Sequence, residues 1–91
     1  MNYNITTLDW QLVDDLTDSK TYLLQAKTVS DSFWYKSYSN TNILFAKGTT
    51  LPTDNKTGLL DSCFKFTKIA DENIYIKAIS TPTNIEIQEV E

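Results

Sequence analysis

The chain has 91 residues and a net charge of −4, with lysine as its sole cation, no arginine, no histidine and one cysteine. A chain of this length builds one thin core and leaves little room for a deep catalytic cleft. The missing arginine removes the usual bidentate partner of phosphate and of guanine edges, and the missing histidine removes the usual general base and metal ligand near neutral pH. Nucleic-acid binding and most hydrolase mechanisms are thereby disfavoured.

The first segment, Asn2 to Thr7, reads as a leading strand with Tyr3 and Ile5 on one face, or as a flexible arm over residues 1–8. It carries no basic and apolar leader, and no apolar run in the chain approaches the roughly 20 residues of a membrane-spanning helix. The expectation is a protein folded in cytoplasm, with no membrane partner. Asp9 to Val13 follows, where Trp10 and Leu12 alternate as in a strand. Leu8, Leu12 and Leu16, four apart, also fit a one-turn helix, which Asp and Thr disfavour, and the acidic cluster Asp14, Asp15 and Asp18 reads as a turn. These carboxylates suit a hard cation, yet they lack the glycine and closing glutamate of a twelve-residue calcium loop, so a solvated turn is the simpler reading. Thr21 to Lys27 is a strand with Tyr22, Leu24 and Ala26 on one face; its near-continuous apolar centre suggests a central position.

Thr28 to Ser32 is polar and turn-like. Phe33, Trp34, Tyr35 and Tyr38 then place four aromatic rings within six residues, more than one strand face buries. Either the strand buries rings on both faces of the sandwich, or some of them lie on a surface or in an interface, where Trp and Tyr are enriched. Ile43 to Lys47 is the next strand, expected to form a hairpin with this aromatic run across Ser39 to Asn42. Gly48 to Gly58 is the longest irregular stretch; Pro52 blocks a central strand there, and Leu51 is expected to pin the loop to the core.

Ser62 to Ile79 is the clearest pattern in the chain. Phe64 and Phe66 alternate with Cys63, Lys65 and Thr67, and Ile74, Ile76 and Ala78 alternate with Tyr75, Lys77 and Ile79, around the polar turn Asp71 to Asn73. Period-2 alternation on both sides of a turn predicts a β-hairpin whose phenylalanines and isoleucines face inward. Cys63 reads as a small packed residue rather than a reactive thiol. Asp61, Asp71 and Glu72 offer carboxylates, but no spacing brings two of them together as acid and base. The last segment, Ile85 to Val90, alternates again with Ile85 and Ile87 inward, and its glutamates suit a charge-protected edge strand or one added to a partner's sheet.

The sum is an all-β chain: a small antiparallel β-sandwich or partly open barrel of about seven strands, with residues 1–91 as one domain. No catalytic residues, cofactor or metal site are expected.

Four phrases, Trp10-Gln11-Leu12-Val13, Tyr22-Leu23-Leu24-Gln25, Leu51-Pro52-Thr53 with Gly58, and Asn73-Ile74-Tyr75-Ile76-Lys77-Ala78, together resemble the small β-sandwich virion proteins of tailed bacteriophages, of the capsid decoration and head-fibre capsid-binding type. The lysine-, asparagine- and isoleucine-rich, arginine-free composition agrees with an AT-rich genome. The resemblance implies a non-enzymatic structural protein located in the virion and assembled in host cytoplasm. Its partners would be the major capsid protein or a head fibre, it would be a homo-oligomer, and many weak contacts on a repeating lattice would add up. The contact residues expected on that reading are Phe33, Trp34, Tyr35, Tyr38, Leu51 and Pro52. The alternative is a carbohydrate- or ligand-binding module that stacks a ring on Trp34 with Tyr35 or Tyr38; an acidic inhibitor of a host protein ranks last, because a charge of −4 is small for nucleic-acid mimicry.

Overall fold

The structure, a computed structural model, describes residues 2–5, 9–31, 34–53, 58–79 and 83–90. The fold is the expected antiparallel β-sandwich, and it is not a closed barrel. Nine strands occur among the described residues: β1 (Asn2–Ile5), β2 (Gln11–Val13), β3 (Thr21–Asp31), β4 (Lys36–Asn40), β5 (Ile43–Gly48), β6 (Leu59–Asp61), β7 (Cys63–Thr67), β8 (Asn73–Ala78) and β9 (Thr83–Glu89). One sheet runs β1-β9-β3, with β4 and β7 both paired to β3; the other runs β2-β8-β5-β6.

Ala26 marks the corner of the sandwich. Its N–H donates to the Ser62 carbonyl at 2.8 Å and its carbonyl accepts from Thr41 N–H at 3.3 Å. In an extended strand one residue's N–H and C=O point to the same edge, so β7 and β4 lie end to end along one edge of β3, with β9 along the other. At this corner the chain changes sheets twice, from β4 to β5 through Thr41 and Asn42, and from β6 to β7 through Ser62. Asp61 Oδ1 satisfies the bend by accepting Ser62 N–H at 2.7 Å.

The inward faces meet in one apolar cluster that includes Val13, Tyr22, Leu24, Ala26, Ile43, Phe45, Phe66, Ile74, Ile76, Ile85 and Ile87. Leu24, Ile43, Ile74, Ile76, Ile85 and Ile87 are completely buried, as their alternation requires. Tyr22, Phe45, Phe64 and Phe66 pack as a ring group, with Phe45 4.8 Å from Phe64 and 4.9 Å from Phe66, centroid to centroid.

Several expectations are corrected. Ser62 to Ile79 is no hairpin: β7 pairs with β3 and β8 pairs with β2 and β5, so the chain arches from one sheet to the other through the turn closed by Glu72 N–H on the Ile69 carbonyl. Likewise β4 and β5 lie in different sheets, and the hairpin partner of β4 is β3. Two strands with one apolar face each bury those faces equally well side by side or face to face across a sandwich; alternation does not choose between them. Thr28 to Asp31 continues β3 instead of turning. β9 is an interior strand between β1 and β3, so it is not an edge strand; Glu86 lies on the outer face of the sheet, while Glu89 shares the face of Ile85 and Ile87 at the strand's exposed end. In β2 the buried residue is Val13, while Leu12 points outward, half exposed. Cys63 is exposed on the outer face of β7 rather than packed.

The acidic segment after β2 has structural work. Tyr3 donates its hydroxyl to Asp15, Tyr22 accepts Thr17 N–H at 2.8 Å, Leu16 packs on the core, and Asp18 pairs with Lys68 at 2.7 Å. These contacts clamp β1 and the β2–β3 connection onto the sandwich. Burial of the Tyr3 ring, helped by the neighbouring Asp15 carboxylate, raises its hydroxyl pKa well above the ordinary 10.0. The folded chain therefore holds this proton more tightly than the unfolded chain does. The contribution is complete below pH 10.0 and is lost as pH rises beyond that value. Tyr3→Phe is expected to flatten the decline in stability above that pH, as read by urea unfolding across alkaline pH; an unchanged alkaline slope contradicts the Tyr3–Asp15 clamp.

Candidate interaction site at the β3–β4 ribbon

The β9 ladder on β3 ends at Lys27 and the β7 ladder at Gln25, whereas β4 pairs with Lys27 to Asp31. Among the described residues, Thr28 to Asp31 therefore pair with β4 alone, and the two strands run past the sheets as a ribbon. The sequence of the two strands, Thr-Val-Ser-Asp and Lys-Ser-Tyr-Ser, is mostly polar and carries no sustained apolar alternation.

Trp34 and Tyr35 sit in the connection at the tip of this ribbon, 83% and 65% exposed. Tyr38 stands opposite Val29 in the ladder. Phe33 lies outside the described residues. Leu51 and Pro52 belong to the connection after β5; Leu51 is 50% exposed and outside the core cluster, so it does not pin that loop as expected. Trp34 and Tyr35 thus share one end of the ribbon, while Leu51 and Pro52 follow β5, which runs from the Ala26 corner in the other sheet.

The exposure of Trp34 has a clear physical meaning. A tryptophan ring that stays 83% exposed forgoes much of its apolar burial, a contribution of roughly 2–3 kcal/mol, and that surface is available to an encounter. The site is suited to burying ring surface against another molecule. Among the described residues no three His, Cys, Asp or Glu side chains come together in a way that would hold a metal ion. Of the carboxylates considered for chemistry, Asp61 caps the Ser62 bend and Glu72 faces Lys47 at 3.9 Å.

What the sequence reading missed here is the ribbon itself, since a polar strand carries no hydrophobic period. It also passed over Leu59 and Leu60, half exposed in β6, where two adjacent leucines point to opposite faces of an edge strand. Set against known protein families, curated proteins and solved structures, the chain matches none.

Proposed function

We propose that the chain is a non-enzymatic structural protein of a tailed-bacteriophage virion, a decoration or head-fibre component that binds the major capsid protein through the tip of the β3–β4 ribbon. The observation that carries this reading is a two-stranded ribbon tipped by exposed Trp34 and Tyr35. A two-stranded ribbon is marginal in water until something packs against it, and Trp and Tyr are the residues that most often anchor protein interfaces. The virion assignment rests on the resemblance carried by the Trp10, Tyr22, Leu51 and Asn73 phrases. Several copies on one lattice would sum modest contacts into firm attachment.

The test is cosedimentation of the purified chain with capsids of the phage that encodes it, alongside light scattering of the chain alone. Saturable binding and self-association are expected; a monomer that stays in the supernatant contradicts the proposal. The same exposed pair also fits a sugar-stacking platform, which keeps the carbohydrate-binding alternative in play. A glycan array separates the two: a sugar bound by the chain and lost on Trp34→Ala would replace the capsid reading.

A further inference from the structure

A second surface lies on the open side of the sandwich, where β6 and β7 separate. Phe45, Ala46 and Lys47 of β5, Gly58 and Leu59, and Phe64, Lys65 and Phe66 of β7 line a groove of about 520 Å³. Its floor is the phenylalanine group, and Leu59 on its wall is half exposed. Both flanking strands are edges: among the described residues β6 pairs only with β5, and β7 only with β3.

The hydrogen-bond parity of β7 follows from its two ends. Ser62 accepts from Ala26, and Lys68 donates to Lys20 at 3.0 Å. Even-numbered residues therefore turn their N–H and C=O toward β3, and Cys63, Lys65 and Thr67 turn theirs to the open edge. Cys63 N–H has a long contact with Asp61 Oδ1 at 3.4 Å.

We propose that this edge accepts an extended segment of a partner protein in which apolar and acidic residues alternate. Backbone groups of Lys65 and Thr67 would extend the ladder, and the alternate apolar side chains of the incoming strand would enter the groove over Phe64 and Phe66. Its remaining side chains would lie on the outer face, directly across from Lys65. Charge selects the occupant. In a chain of net charge −4, two lysines, Lys47 and Lys65, stand on this groove. Lys47 is ion-paired with Glu72 at 3.9 Å, so the selection falls to Lys65, whose side chain is exposed. A second copy pairing edge to edge would bring lysine against lysine, which disfavours self-pairing. Carboxylates on the outer face of the incoming strand meet Lys65.

The probe is a dye-labelled seven-residue peptide of alternating valine and glutamate, compared with its valine–lysine counterpart by fluorescence anisotropy on the full chain. The glutamate peptide is expected to bind about tenfold more tightly, from attraction in one case and repulsion in the other. Lys65→Glu should reverse that preference. Lys65→Gln should weaken binding to the glutamate peptide a few-fold, and Lys65→Pro should abolish it, because proline also removes the outward N–H while leaving the β3 ladder intact. Thermal melting of Lys65→Pro checks that the fold survives. Equal affinity for the two peptides, no saturable binding at millimolar peptide, or binding untouched by Lys65→Pro overturns the proposal.

Discussion

Phe66→Ala is expected to destabilise the chain by about 3–5 kcal/mol. The ring is 7% exposed and packs against Tyr22 at 5.8 Å, Phe45 at 4.9 Å and Phe64 at 6.3 Å between centroids. It holds β7 of one sheet against β5 of the other, at the side of the sandwich where the sheets part. Removing it deletes the transfer free energy of a large ring and leaves a void between β7 and β5, which their ladders to β3 and to β8 and β6 hold open. Small domains have only about 5–15 kcal/mol of stability in total, so the variant sits near the limit of folding. Urea unfolding reads the change directly, and in a domain of this size each kcal/mol lowers Tm by roughly 4–8 °C. A loss below about 1 kcal/mol would mean that the ring group is not part of the packed core.

Gly58→Ala is expected to cost roughly 2–4 kcal/mol, although Gly58 itself is exposed. Its φ is +98°, in a region that L side chains rarely adopt. A Cβ there would collide with the Phe45 carbonyl oxygen, would lie 2.9 Å from the Phe45 carbonyl carbon, and 3.3 Å from Ala46 Cβ. The glycine lets the chain enter β6 flush against β5, and β6 forms one wall of the Phe45 groove. Gly48 supplies the control. A Cβ added there meets nothing within 4 Å, so Gly48→Ala should change stability by less than about 0.5 kcal/mol or raise it slightly. Equal effects at the two glycines in urea unfolding would contradict this account of the β5–β6 approach.

The inward faces were legible in the sequence because side-chain period is local. Tyr22, Leu24 and Ala26, Phe66, Ile74 and Ile76, and Ile85 and Ile87 alternate in the chain and are buried in the fold. Strand pairing was not legible, because it depends on residues far apart. Nothing in Phe64-Lys65-Phe66 says that its ladder partner is Tyr22-Leu23-Leu24 rather than Ile74-Tyr75-Ile76, and the short turn between β7 and β8 suggested the wrong one. The same ambiguity concealed the crossing from β4 to β5. At the candidate site, the aromatic surplus of residues 33–38 was readable as a count, since one face cannot bury four rings. Its projection on a ribbon was not, because Thr28 to Asp31 has turn-like polarity and becomes a strand only through pairing with β4. Gly58 was readable as a turn residue but not as a contact with Phe45, which requires knowing that β6 lies beside β5.

The ribbon tip is the central claim, and Trp34→Ala tests it most directly when stability and binding are measured on the same preparation. The ring lies outside the core, so unfolding by urea should shift by no more than about 0.5 kcal/mol, the usual range for surface positions. Cosedimentation with capsids should weaken by about thirtyfold or more, as expected for an aromatic anchor worth at least about 2 kcal/mol. Undiminished capsid binding, or a loss of stability comparable to that of Phe66→Ala, would contradict the assignment of this tip as the contact surface.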